Sequence, residues 1–220
     1  MKIKGLFLSV ICIACLASCA PTKFVAQTSE PLQISEMALL QPIAEVSIVA
    51  PKGDLEYSES MSITEAGILQ NALMSNTDKV PVSQLIEINH EQGQLVYDAV
   101  SYAETNVKRL QGFKIPSEIV SLVRSSGQRY GLLVVADGIS KSQQNYRTEL
   151  IVGVITSILS LGTIYMIPVK AASKINAIIF DSTTGEVVYF KTSGEQQIDP
   201  LDEKDLTRAS IKLFKNFTWQ

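Results

Sequence analysis

The sequence predicts an α/β (α+β) fold, a mixed β-sheet of about four or five strands with helices packed against it. Three observations predict it. Tyr130-Gly131-Leu132-Leu133-Val134-Val135-Ala136-Asp137 is a continuous apolar run, the pattern of a central strand covered on both faces. Ile175-Asn176-Ala177-Ile178-Ile179-Phe180-Asp181 and Glu186-Val187-Val188-Tyr189-Phe190 read as two further strands, joined by the hairpin turn Ser182-Thr183-Thr184-Gly185. Around them apolar residues recur at steps of three and four, the spacing of helices with one buried face.

In chain order, Glu45-Val46-Ser47-Ile48-Val49-Ala50 is a short apolar run closed by Pro51-Lys52-Gly53-Asp54, a strand and a turn. Ile63, Ala66, Leu69 and Leu73 predict a helix with an inward apolar face, capped by Ser60 or Ser62. Val80-Pro81-Val82 reads as a short edge element or loop, and Ser83 as the cap of a brief helix reaching Ile88. Val96, Val100, Ala103, Val107 and Leu110 mark an amphipathic helix over 95–110, followed by a turn at Gly112. Pro116 suits the first turn of the next helix. That helix points Ile119, Leu122 and Val123 inward and stops at Gly127. The last helix begins near Asp199-Pro200 and aligns Leu206, Ala209, Leu213 and Phe217.

The N-terminus has its own plan. Lys2 and Lys4 precede an uncharged apolar run, 5–15, shorter than the roughly 20 residues of a spanning helix. Small residues follow at Ala17 and Ser18, completing an export signal over 1–18. Leu16-Ala17-Ser18-Cys19 resembles the lipobox of bacterial lipoproteins. The resemblance implies cleavage between Ser18 and Cys19, a diacylglycerol thioether on Cys19, and palmitate-type acylation of the new amino terminus. Two or three acyl chains hold a protein stably, at about 0.8 kcal/mol per buried CH2. Ala20, and no aspartate, follows the cysteine. By lipoprotein sorting rules that implies the outer membrane. Cys12 and Cys15 fall in the discarded segment, which argues against a redox or zinc pair.

Residues 19–33 then read as a lipidated tether, rich in Pro, Thr, Gln and Ser without periodicity, and 34–220 as a single domain. The formal charge of −3 becomes −5 once Lys2 and Lys4 are lost, a poor match for nucleic acid. Cys19 is the one cysteine left, so no intramolecular disulfide forms. The core must hold by burial, which 46% hydrophobic residues supply at this size.

The stretch 150–169 contains no charged residue and interrupts the domain as an apolar insertion. Its length reaches that of a spanning helix, although Gly162 and Pro168 break the pattern. It also reads as an insertion packed on the sheet, or as a membrane or assembly segment. Gly153 and Ser157 lie four apart, a spacing that lets helices approach closely, and as strands the stretch suits a barrel shared among subunits.

No catalytic residue, metal site or cofactor is expected. His90 is the single histidine and reads as a surface residue, since zinc needs three or four ligands. There is no Gly-x-Ser-x-Gly elbow, phosphate loop or dinucleotide fingerprint. Asp137-Gly138 and Asp181 read as turn formers.

The order of elements, with the hairpin Ile178-Ile179-Phe180-Asp181-Ser182-Thr183-Thr184-Gly185-Glu186-Val187-Val188-Tyr189, is similar to envelope lipoproteins with a fold like the N-terminal domain of the translocation protein TolB. That group includes the curli-secretion lipoprotein and the lipoprotein activators of penicillin-binding proteins. The resemblance spans about 43–217 and transfers no functional residue. It implies a non-catalytic, periplasm-facing lipoprotein that binds another envelope protein. The alternative it implies is an oligomeric secretion channel subunit using 150–169.

Overall fold

The computed structural model describes residues 23–27, 33–49, 54–141, 171–215, 217 and 219. Ser18, Cys19, Gly153, Ser157 and Gly162 lie outside the described residues.

The elements run β1 (Lys23–Val25), β2 (Met37–Leu40), β3 (Ile43–Val49), β4 (Leu55–Tyr57), α1 (Glu59–Met74), β5 (Val82–Ile86), α2 (His90–Thr105), a 3-10 turn (Val107–Arg109), α3 (Ser117–Ser125), β6 (Tyr130–Lys141), β7 (Ala171–Asp181), β8 (Val187–Thr192) and α4 (Glu203–Lys212). The strands form one eight-stranded mixed sheet. The predicted fold class holds, with more strands than expected. β6 is the central strand. It runs antiparallel to β7 along most of its length, and parallel to β2 and then β3 on its other side. β7 continues to β8 and β8 to β1. At the opposite edge β5 pairs with β2, and β4 with β3.

The pleat sends alternate side chains of β6 and β7 to opposite faces. Leu132, Val134, Ala136, Ile175, Ala177 and Ile179 meet α1 and α4 on one face. Leu133, Val135, Ile178 and Phe180 meet α2 and α3 on the other. Helices on both faces are why Tyr130–Ala136 reads as unbroken apolar sequence. Gly131 is part of that packing. A Cβ there would lie 2.5 Å from the Phe180 ring and 2.8 Å from Val123, so the glycine leaves room for both side chains.

Several expectations are corrected. Val82–Ile86 is a strand rather than a brief helix, and its ladder to β2 takes the backbone groups a helix would have used. Lys23–Val25, inside the expected tether, pairs with β8. α1 has Ser58 at its N-cap rather than Ser60 or Ser62. It buries Ser62, Glu65, Leu69, Ala72 and Leu73, and leaves Ile63 66% exposed. α2 starts at His90, earlier than its apolar residues indicate, because Asn89 and Gln92 form a capping box. β6 does not turn at Asp137-Gly138. Pairing with β3 and β7 carries it on to Lys141. The Asp181 turn forms as read. Thr183 N–H donates to Asp181 Oδ1 at 2.8 Å, and Gly185 takes φ 77°.

Candidate functional site

Pro42 interrupts what would otherwise be one long strand beside β6, leaving β2 before it and β3 after it. Two different neighbours cover the two halves, and neither reaches the junction. β5 stops at Ile86, opposite Leu40, and β4 begins pairing only at Ser47. Between them lies a groove of about 510 Å³, lined among others by Ile43, Ala44, Tyr57, Ile63, Ile88 and His90. The backbone of Val46 faces this edge. Its N–H donates to Ser62 Oγ at 2.9 Å, and its carbonyl accepts from Ser58 N–H at 2.8 Å. Strand alternation turns the N–H and C=O of Ala44, two residues earlier, to the same side of β3, and the residue itself is buried. Tyr57 and Ile63 are large apolar side chains at its rim, 64% and 66% exposed. His90 is exposed, as expected, and stands at the start of α2 on the groove wall.

Behind the groove, register brings three charged residues into a row. Glu45 pairs with Asp137, and Asp137 with Lys174, across three adjacent strands. α2 adds Tyr97 and Glu104 above them. Lys174 Nζ lies 2.9 Å from Glu104 Oε1 and 3.2 Å from Asp137 Oδ2. Tyr97 OH donates to Asp137 at 3.3 Å, and Asn176 Nδ2 to Glu104 at 3.1 Å. Burial works against the charge on Lys174, yet the Glu104 hydrogen bond and the two carboxylates hold its ammonium above the usual lysine value. Its amine lone pair is therefore occupied at neutral pH. Burial, then the Asp137 and Glu45 charges, push Tyr97 up to about 12, so its hydroxyl keeps its proton.

On the opposite face of the same strands sits Glu65. It is fully buried and accepts from Ser173 Oγ at 2.7 Å, while its other oxygen has no hydrogen-bond partner. Burial raises its carboxyl to about 7, against the Ser173 bond and with help from Asp137 and Asp199. Gly138 makes room for it. A Cβ there would sit 2.9 Å from Glu65 Oε2 and 2.8 Å from Pro200. Sequence reasoning missed Glu65 because a carboxylate on a helix is ordinarily solvated. Its position one step before Ala66 on the Ile63/Ala66/Leu69 stripe was the available signal.

No protein-family model matches the chain, and no curated protein matches it. Among solved structures it is similar to the PelC dodecamer from Paraburkholderia phytofirmans, at 13% identity and a TM-score of 0.37, over 90% of this chain and 99% of that one. It is also similar to the LpoB C-terminal domain from Salmonella enterica, at 14% identity and a TM-score of 0.31, over 76% of this chain and 86% of that one.

Proposed function

We propose that the chain is a non-catalytic lipoprotein of the cell envelope, anchored through Cys19 in the outer membrane and facing the periplasm. Its domain holds a segment of another envelope protein in the groove between β4 and β5. The groove carries this reading. It joins exposed Tyr57 and Ile63 to a stretch of β3 that neither β4 nor β5 covers. An extended peptide recognises both at once, with its backbone on the edge and its side chains on the apolar rim. The polar residues nearby support binding over catalysis. Lys174 is protonated, Tyr97 keeps its proton, and Glu65 is closed off from solvent.

The anchor and the groove are tested separately. Cys19→Ala releases the chain from salt-washed membranes into the soluble fraction. A mutant that stays with those membranes as fully as wild type refutes the anchor. A photo-crosslinking residue at position 63 captures one envelope protein in cells, and Ile63→Glu together with a crosslinker at position 57 abolishes the product. Crosslinks to further copies of the same chain alone would replace the partner reading with self-assembly.

A further inference from the structure

A second surface, sharing no residue with the groove, follows α4. Phe214 is buried beside Tyr189, their ring centroids 6.0 Å apart, and Phe217 meets the same ring edge-on at 4.8 Å. Trp219 packs on Phe217 at 4.5 Å and on Phe214 at 5.8 Å. These rings floor a concavity of about 470 Å³ with a cationic rim of Lys79, Arg208, Lys212 and Lys215. Asp205 pairs with Arg208 at 3.1 Å, and Lys79 meets the amide oxygen of Asn76 at 3.4 Å.

The positive charge continues onto the adjoining strands. Lys23 on β1 stands opposite Lys191 on β8, its ammonium 5.7 Å above the Tyr189 ring. Lys191 in turn donates to the Lys212 carbonyl at 3.3 Å. Burial first, then the charges of Lys23 and Lys212, hold Lys191 below the usual lysine value. Like charges therefore gather here, in a chain whose net charge is −3.

Two observations name what covers this surface. Lysines around an aromatic floor complement an anionic lipid layer, where ammonium groups meet phosphates while Trp and Phe sit at the interface. The second is position. Lys23 comes four residues after Cys19, so the chain between an acylated Cys19 and β1 spans at most about 14 Å. An anchor at Cys19 thus keeps β1, and the cations beside it, close to the bilayer.

We propose that Lys79, Arg208, Lys212, Lys215, Phe217 and Trp219 dock the domain onto an anionic lipid surface, the bilayer that carries its own anchor. The positional part rests on the lipid-anchor reading, and the charge complementarity does not.

Trp219 is the single tryptophan of the chain, so its emission reports on this surface without a label. A chain of residues 19–220 carrying Cys19→Ala retains every described element and has no acyl group. Mixed with vesicles rich in phosphatidylglycerol, it shifts its emission to the blue and co-sediments. Vesicles of phosphatidylcholine alone leave both unchanged, and high salt reverses the binding. Each cation near an anionic surface contributes roughly fivefold, so the exposed pair Lys212→Gln/Lys215→Gln lowers partitioning roughly 30-fold. Unchanged emission on the anionic vesicles overturns the proposal, as does partitioning that ignores the double substitution. The mass of the wild-type chain reads acylation independently. Vesicle binding by a chain found unacylated in cells would keep the docking surface and remove the anchor, and the converse would do the opposite.

Discussion

β7 meets a buried carboxyl group at each end, and the two prefer opposite protonation states. At its C-terminal end Asp181 is held below the usual aspartate value. Burial opposes that, but the Thr183 hydroxyl and N–H and the Arg129 guanidinium outweigh it. At its N-terminal end Glu65, beside Ser173, is pushed up to about 7. Both are closed to solvent, Asp181 6% exposed and Glu65 0%, with Glu65 the deeper of the two. The donors differ as well. Asp181 receives the Thr183 N–H at 2.8 Å, the Thr183 hydroxyl, Arg129 Nε at 3.0 Å and Arg129 Nη2 at 2.9 Å. Glu65 receives one hydroxyl, leaves an oxygen bare and faces the charges of Asp137 and Asp199. Desolvation sets the cost of a buried charge, and the number of donors aimed at it decides whether the charge survives.

The comparison breaks most visibly at Glu65. Its folded-state value of about 7 stands above the ordinary 4.5, so the folded chain keeps a proton that the unfolded chain sheds. The associated stability is full below the lower value and is lost as pH rises through the upper one, on the order of 3 kcal/mol in all. Urea unfolding at pH 5 and pH 8 measures most of that loss. Glu65→Gln, which keeps an acceptor for Ser173, flattens the profile. A wild-type profile already flat after correction for other groups would end the contrast.

Asp181 answers with the opposite sign. Asp181→Asn costs about 2 kcal/mol at neutral pH, the scale of hydrogen bonds to a charged group. Because its folded value is lowered, that contribution is present above the unfolded value and fades as pH falls through the folded one. A cost that persisted unchanged in acid would mean the turn needs the side chain's shape and not its charge. The Arg129 side chain is 63% exposed, so Arg129→Gln costs less than about 1 kcal/mol.

A small effect also belongs to Lys174, which sits next to Ser173 on the opposite face. Lys174→Met leaves Glu104 and Asp137 without their cation. These groups are about a third exposed, so the loss is about 1 kcal/mol and shrinks with added salt. A loss several times larger, measured by thermal unfolding at low and high salt, would show the row to be desolvated like Glu65.

Much of the sheet was legible in the sequence. β6, β7, their hairpin partner β8 and the buried faces of α2, α3 and α4 follow from apolar runs and helical spacing. β1, β2, β4 and β5 were not legible. β1 and β4 have three residues each and β2 four, and β5 carries Ser83 and Gln84, so no alternation emerges. The α1 face was misread at Ile63 because Ser62 and Glu65 take inward positions that polar residues rarely fill. Serine there makes sense only with Val46 in place, since its hydroxyl closes that strand edge. The row of Glu45, Asp137 and Lys174 depends on register between distant strands, which no local pattern encodes. The groove is likewise a gap between strand ends, invisible until both strands are placed.

The pairing of β1 with β8 has a mechanical consequence. If Cys19 is held in a membrane, any pull between membrane and domain passes through Lys23, Phe24 and Val25 against Lys191, Phe190 and Tyr189. Ala26 comes next, partly buried against the core, its N–H donating to the Val188 carbonyl at 2.9 Å. Peeling Lys23–Val25 from β8 therefore lengthens the connection from about 14 Å to about 24 Å, the extended span of the chain from Cys19 to Ala26. Three residues of strand act as a clasp on a leash with two lengths, short at rest and long under load.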